Sequence, residues 1–128
     1  MRALDATYCF DILRGDAGAR ERAIEWESQQ EVLAIPAPAL AEFLRSGYRR
    51  GGRLLEQSLA LTRRLEVLSL DAGTAEDAAR LGGELDRRGL LVGNIDLLIA
   101  AIVRKNRAIL VTRDQDFQRI PGLHLETY

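Results

Sequence analysis

The sequence is poor in the residues on which many enzyme mechanisms depend. Its 128 residues include one cysteine, one histidine and one lysine. Cys9 has no partner for an internal disulfide, which agrees with a reducing cytoplasm, and the single His124 disfavours both a histidine-based triad and a Cys–His mechanism. No run approaches the roughly 18 consecutive apolar residues of a membrane span, and the N-terminus lacks the apolar region of a signal peptide. We therefore expect a cytoplasmic protein that has no membrane segment.

Nucleotide-binding loops and a basic charge excess are also missing. Neither GxGxxG nor GxxxxGK[ST] occurs, and the net charge of −1 argues against a strongly basic scaffold that coats nucleic acid. Nearly all the cations are arginines, which either suit bidentate phosphate contacts or reflect the composition of the genome. The 47% hydrophobic content is typical of a globular protein. At this length we expect one domain, residues 1–128, with a substantial core.

Short apolar runs and helical periodicity alternate along the whole chain. The runs predict strands at residues 2–4, 31–36, 66–70, 108–112 and 123–128. The periodic segments predict helices at residues 7–15, 19–30, 38–51, 52–65, 71–89 and 94–106. In the second helix, Ala23, Ile24 and Trp26 are predicted to face inward. This order favours an α/β fold with a mainly parallel central sheet of about four to five strands flanked by helices.

Acidic residues lie where a parallel sheet places its functional sites, beyond the carboxyl ends of the strands. Asp5 follows the first strand, and Asp114 follows the strand at 108–112, with Asp116 two residues later. Asp96 lies at the start of the most apolar helix. Glu42 lies in the first turns of the helix that follows the second strand. Separate segments of the chain thus each bring a carboxylate toward one edge of the sheet.

Each acid also has a purely structural interpretation. Asp5 and Asp114 suit helix or turn caps, and Asp96 suits the positive end of a helix dipole. Glu42 is equally acceptable as a solvated helix residue. Their combination is harder to explain in this way, because clustered carboxylates repel one another unless a proton or a cation neutralises them. Ligands that are all oxygen favour Mg²⁺ or Mn²⁺ over Zn²⁺, and such a site suits phosphodiester hydrolysis.

Polar neighbours of these acids have predicted supporting roles. The hydroxyls of Thr7 and Thr112 are placed to hydrogen-bond a carboxylate or a bound water, although strand and cap positions explain both threonines equally well. If the chain stays extended beyond the fourth strand, Thr112, Asp114 and Asp116 share one face. If a helix begins at Asp114, Asp116 turns away and becomes the less certain metal ligand. Arg113 is a candidate phosphate contact.

Four segments carry a resemblance that covers almost the whole chain: "ALDATYCFDILRG", "PAPALAEFLRSGYRRG", "VGNIDLLIAAIV" and "ILVTRDQDFQRIPGLHLETY". They resemble the opening LDT/S…I…LRG segment, the acidic helix, the G…DLLIAA helix and the closing LVTRD/N…DF.RIPGL block of the PIN-domain family, specifically its VapC-type toxins. The last two segments are the specific ones. The sequence departs from the pattern at "DAT", where the hydroxyl is at Thr7 instead of directly after Asp5.

The resemblance implies a single PIN domain that acts as a Mg²⁺-dependent endoribonuclease, with Mn²⁺ as a substitute ion. It implies an RNA substrate of the tRNA or rRNA type, whose cleavage slows translation. It also implies a cognate antitoxin that neutralises the protein, and a homodimer. The resemblance assigns the metal-binding catalytic site to Asp5, Glu42, Asp96 and Asp114, with Asp116 as an accessory ligand.

Two other interpretations remain open at this point. A receiver-type phosphoacceptor domain also places acids at strand ends, but it needs a second acid beside Asp5 and a lysine after the last strand. Lys105, the only lysine, lies at the end of a helix instead. The other alternative is a PIN-like module that binds RNA or protein without cutting. The four acids argue against it, because a pure scaffold has little use for clustered like charge.

Overall fold

A parallel sheet of five strands forms the centre of the computed structural model, which describes residues 1–128. The strands are β1 (Arg2–Leu4), β2 (Leu33–Pro36), β3 (Glu66–Leu68), β4 (Ile109–Val111) and β5 (His124–Glu126). Their order across the sheet is β3-β2-β1-β4-β5, and every neighbouring pair is parallel. The carboxyl ends of all five strands therefore meet at one edge. The predicted α/β fold is confirmed, including the number of strands.

Six α-helices and one 3₁₀-helix connect and cover the strands. They are α1 (Ala6–Arg14), α2 (Ala17–Ser28), α3 (Ala37–Arg50), α4 (Gly52–Thr62), α5 (Ala72–Arg87), α6 (Asn94–Lys105) and the 3₁₀-helix Gln115–Arg119. The first helix ends at Gly15, which adopts a left-handed conformation with φ 81°. No helix is both long enough and apolar enough to cross a lipid bilayer.

The apolar helix α6 is packed in the core, as its composition predicts. Its residues Ile99, Ala100, Ile102 and Val103 are fully inaccessible to solvent. Gly82 of α5 permits close packing of the two helices, because a Cβ at that position would lie 2.8 Å from Cδ1 of Leu97. This packing fixes the first turn of α6 and therefore the position of Asp96, which directly precedes Leu97.

The predicted inward face of α2 is wrong at one residue. Ile24 is 68% exposed, whereas Ala19 and Trp26 are fully buried. At 100° per residue, Ala19, Ala23 and Trp26 fall on one stripe of the helix and Ile24 falls on another. The error comes from treating Ile24 as part of that stripe because it is apolar.

Candidate active site

Four of the predicted site residues gather at the carboxyl edge of the sheet, and each comes from a different segment. We call them the acidic cluster, which consists of Asp5, Glu42, Asp96 and Asp114. Asp5 directly follows β1, and Asp114 lies three residues beyond β4. Since β1 and β4 are hydrogen-bonded neighbours, their carboxyl ends bring these two acids together. Glu42 arrives on α3 and Asp96 on the first turn of α6.

Asp5 is the buried member of the cluster, with 6% of its surface exposed. Its Oδ1 accepts a hydrogen bond from the backbone N–H of Ala6 at 2.8 Å, so it caps α1 as its structural interpretation predicts. Its Oδ2 accepts a second hydrogen bond, from the hydroxyl of Thr112 at 2.8 Å. The two bonds fix the orientation of the carboxylate on two sides.

Thr112 joins the ends of the two central strands. While its hydroxyl donates to Asp5, its Oγ1 accepts a hydrogen bond from the backbone N–H of Asp114 at 3.0 Å. A hydroxyl can donate and accept at once, so one buried side chain connects the carboxylate on β1 to the backbone that carries the next acid. The predicted hydrogen bond of Thr112 to a carboxylate is present. Thr7, by contrast, is exposed and its hydroxyl makes no hydrogen bond.

Asp114 and Asp116 have different local roles. Asp114 is the N-cap of the 3₁₀-helix, and its Oδ1 accepts the backbone N–H of Asp116 at 2.9 Å. The chain therefore turns at Asp114 and does not continue as a strand. Asp116 therefore lies within this helical turn, and its carboxylate is 3.7 Å from the guanidinium of Arg119. Its charge still contributes to the raised pKa of Asp96. Of the two conformations that the sequence left open, the helical turn at Asp114 is the one observed.

Asp96 and Glu42 have carboxylates with no hydrogen-bond or ion-pair partner in the chain. Asp96 is partly buried in the first turn of α6, where the helix dipole favours a negative charge. Glu42 is exposed on the second turn of α3. Their oxygens are free to bind a cation or to accept a proton from water. Each oxygen of Asp5 already accepts one hydrogen bond and keeps a further lone pair for a cation.

Burial and the neighbouring negative charges raise the pKa values of three carboxylates of the cluster, those of Asp5, Glu42 and Asp96. Burial is the main reason that the pKa of Asp96 rises to about 6, and the charges of Asp114 and Asp5 raise it further. Burial also raises the pKa of Asp5, although the hydrogen bond from Thr112 opposes the shift. Glu42 is exposed overall, yet partial desolvation of its carboxylate and then the charge of Asp5 raise its pKa. The fold therefore holds a concentration of negative charge that it does not neutralise.

The donor set suits a hard divalent cation in its chemistry, because it offers carboxylate oxygens alone. In this arrangement no three Asp, Glu, His or Cys side chains converge closely enough to ligate one ion together. Mg²⁺ in proteins is usually bound by one or two carboxylates, with water in the remaining positions. The residues present fit that form of site. The predicted metal-binding site of Asp5, Glu42, Asp96 and Asp114, with Asp116 as an accessory ligand, stays a prediction.

Arg113, the predicted phosphate contact, is directed away from the cluster. Its guanidinium lies 3.1 Å from Asp16 and 3.5 Å from Asp11, and its central carbon is 4.3 Å from the ring centroid of Tyr128. The alternation of side chains along an extended chain places Arg113 on the opposite face from Thr112. Two carboxylates already neutralise its charge, so the structure gives no support to a phosphate contact here. The alternation is a signal that the sequence contains and that the prediction of a phosphate contact did not use.

Other reactive side chains lie outside the cluster or are inaccessible. Cys9 is fully buried, and this burial raises the pKa of its thiol to about 12, so it is protonated and is not a nucleophile. His124 is exposed on the edge strand β5. Lys105 bonds Asp71, the N-cap of α5, so the lysine that a receiver-type site requires is not present at the cluster.

The pKa of Asp96 predicts a pH-dependent effect of Asp96→Asn on the stability of the metal-free protein. Because the folded-state pKa of about 6 exceeds the ordinary value of 3.8, the folded state binds more protons than the unfolded state between these pH values. The contribution of Asp96 to stability therefore falls as pH rises through that window. Urea unfolding should show no difference between variant and parent near pH 4. At pH 7.5 the variant should be more stable by about 1–2 kcal/mol, allowing for solvent screening. A difference that is independent of pH would contradict the prediction.

Comparisons with known proteins agree with this geometry. The sequence profile of the PIN domain matches residues 3–123. Ribonuclease VapC2 of Rickettsia felis is 30% identical over 129 aligned positions, which cover 98% of this chain and 96% of that protein. The tRNA(fMet)-specific endonuclease VapC of Shigella flexneri is 30% identical over 131 positions, with the same coverage.

A solved structure extends the likeness to three dimensions. The VapBC2 complex of Rickettsia felis, crystallised with a DNA fragment from its promoter, contains a chain that superposes with a TM-score of 0.81 at 30% identity. The superposition covers 99% of this chain and 98% of that one. The resemblance found in the four sequence segments is confirmed, and the chain belongs to the PIN-domain family, within its VapC group.

Proposed function

We propose that this protein is a Mg²⁺-dependent endoribonuclease toxin that hydrolyses phosphodiester bonds in RNA of the tRNA or rRNA type. The observation that carries the proposal is the acidic cluster, whose four carboxylates come from separate segments, lie at the same edge of the sheet and have no cation of the chain to neutralise them. The relatives support the reaction class, since they are named as a ribonuclease and a tRNA-specific endonuclease. Activity on such RNA would slow translation and would take place in the cytoplasm.

The side chains of the cluster have different proposed roles. Asp5 is held by Thr112 and by the N-terminus of α1, so it is the fixed acid of the site. Asp96 and Glu42 have free oxygens, and the raised pKa of Asp96 suits a group that accepts a proton near neutral pH. A bound Mg²⁺ supplies activation of a water nucleophile and neutralisation of the scissile phosphate. Mn²⁺ is expected to substitute, because it takes the same oxygen ligands.

A protein partner forms part of the proposal. The chain's likeness to toxin–antitoxin complexes of Rickettsia felis and Salmonella typhimurium supports a cognate antitoxin that neutralises the activity. We also propose a homodimer as the form that the antitoxin binds. Co-expression with the gene product encoded directly upstream is the setting in which this partner should be recovered.

Incubation of the purified protein with total bacterial RNA, followed by sequencing of new 5′ ends, tests the proposed function. We expect a small number of defined cleavage positions that appear with Mg²⁺ or Mn²⁺. An Asp5→Asn preparation purified in the same way controls for contaminating nucleases. If the RNA stays intact with both metals after long incubation, the alternative of a PIN-like binding module is favoured. Equal cleavage by the Asp5→Asn protein would assign the activity to a contaminant or to another site, and in either case would leave the proposed active site without support.

A further inference from the structure

Positive charge without partners is concentrated on α3, α4 and the turn that follows. Residues 37–65 contain six arginines and two glutamates, a net charge of +4 in a chain whose overall net charge is −1. Of the eleven arginines in the other 99 residues, six contact a carboxylate, among them Arg2, Arg22 and Arg113, and five do not. None of the six arginines in residues 37–65 makes an ion pair or a side-chain hydrogen bond. They are Arg45, Arg49, Arg50, Arg53, Arg63 and Arg64.

Two of these arginines continue from the acidic cluster along one face of α3. Glu42, Arg45 and Arg49 have the spacing i, i+3 and i+7, at which consecutive members are neighbours on the helix surface, about 5–6 Å apart at Cβ. Arg49 lies about 10 Å along the helix axis from Glu42, at 1.5 Å per residue. We call Arg45 and Arg49 the arginine row. Both side chains are exposed to solvent.

The arginine row supplies positive charge next to the negatively charged acidic cluster. Four carboxylates repel the phosphates of an approaching RNA, so unpaired cations beside them are required to hold the strand. Guanidinium groups bind phosphates in a bidentate manner. Arg113 and Arg119, which lie near Asp114, are already engaged by acids. The arginine row therefore supplies free charge on the element that carries Glu42.

An aromatic side chain borders the same face. Tyr48 lies three residues from Arg45 on α3 and is 64% exposed. Aromatic rings beside basic residues bind unpaired RNA by stacking on bases. We propose that the arginine row and Tyr48 bind an unpaired stretch of the RNA substrate next to the scissile bond, with the arginines on phosphates and the tyrosine on a base. The choice of RNA as ligand rests on the proposed function.

Binding measured apart from cleavage tests this inference. The probe is a fluorescein-labelled single-stranded RNA oligonucleotide, titrated by anisotropy in EDTA on an Asp96→Asn background. Replacing both Arg45 and Arg49 by Gln should weaken binding at least about tenfold, and the slope of log K against log salt should become shallower by about 1.4. Tyr48→Ala should weaken binding about fivefold or more.

The matched control replaces Arg63 and Arg64 by Gln. These arginines are equally exposed and unpaired, but they precede β3 and so lie at the amino edge of the sheet, opposite the cluster. The control should bind RNA as the parent does. An unchanged affinity in the Arg45/Arg49 variant would overturn the inference, as would an equal loss in the control, which would indicate a general charge effect. A change of oligomeric state without a change in RNA affinity would assign the row to a subunit contact and would also overturn it.

The binding result is independent of the proposed nuclease activity. Loss of binding in the Arg45/Arg49 variant, together with an absence of cleavage by the wild-type protein, would retain the RNA surface and reject the nuclease. Cleavage by the wild-type protein, together with unchanged binding in the variant, would retain the nuclease and reject the RNA surface.

Discussion

Asp96→Asn is expected to abolish RNA cleavage while it stabilises the metal-free protein. The amide cannot take up a proton as the carboxylate does and is a weaker cation ligand, so cleavage should fall by about 10²–10⁴-fold. The same substitution removes one of several mutually repelling charges, and the melting temperature in EDTA at pH 7.5 should rise by about 3–12 °C for the expected 1–2 kcal/mol. Initial rates on an end-labelled RNA and thermal unfolding of one preparation provide both values.

Asp86→Asn is the matched control for this experiment. Asp86 is exposed on α5, makes no ion pair and lies outside the acidic cluster, so both its cleavage rate and its melting temperature should equal those of the parent. Asp96→Asn should lower the cleavage rate and raise the melting temperature. These opposite directions distinguish a carboxylate that serves function from one that stabilises the fold. A variant that lost activity because it was less stable would contradict the account.

Removal of divalent cations is expected to have an equally large effect. EDTA should reduce cleavage to background, and the addition of excess Mg²⁺ or Mn²⁺ should restore it, whereas Ca²⁺ with its longer bonds and looser geometry should support it poorly. Mg²⁺ should also raise the melting temperature of the wild-type protein, because an ion bound to the folded state stabilises it by mass action. This increase should be much smaller in the Asp5→Asn and Asp96→Asn variants. Full activity in EDTA would remove the metal from the mechanism.

The fold was predictable from the sequence because its signals are local and agree with one another. The apolar run of β4, the apolar helix α6 and the left-handed turn at Gly15 each predict their own element, and alternating strands and helices predict parallel pairing. Ile24 was predicted wrongly because it is apolar and adjacent in sequence to Ala23, which belongs to the inward stripe of α2. The exposure of Ile24 follows from its angular position on the helix, which can be calculated from the sequence at 100° per residue.

The site was predictable at the level of residue types but not of contacts. The position of Asp5 and Asp114 after neighbouring parallel strands follows from topology. The bridge made by Thr112 does not, because it depends on the register between β1 and β4 and on a hydroxyl rotamer. The turn at Asp114 decided the role of Asp116, and the sequence left both conformations of that segment open. The phosphate contact of Arg113 stays a prediction. Its ion pairs with Asp16, the N-cap of α2, and with Asp11 of α1 could not be predicted, because these acids are distant from it in the sequence.

The central claim is that the acidic cluster binds the divalent cation that cleavage requires. Anomalous diffraction from crystals grown or soaked with Mn²⁺ tests it most directly, with the Asp5→Asn protein as the matched crystal. A Mn²⁺ peak is expected within bonding distance of a carboxylate oxygen of Asp5, Asp96 or Asp114 in the wild-type protein, and this peak should be lost in the variant. A wild-type crystal with no peak in the cluster, at a Mn²⁺ concentration that supports cleavage in solution, would contradict it.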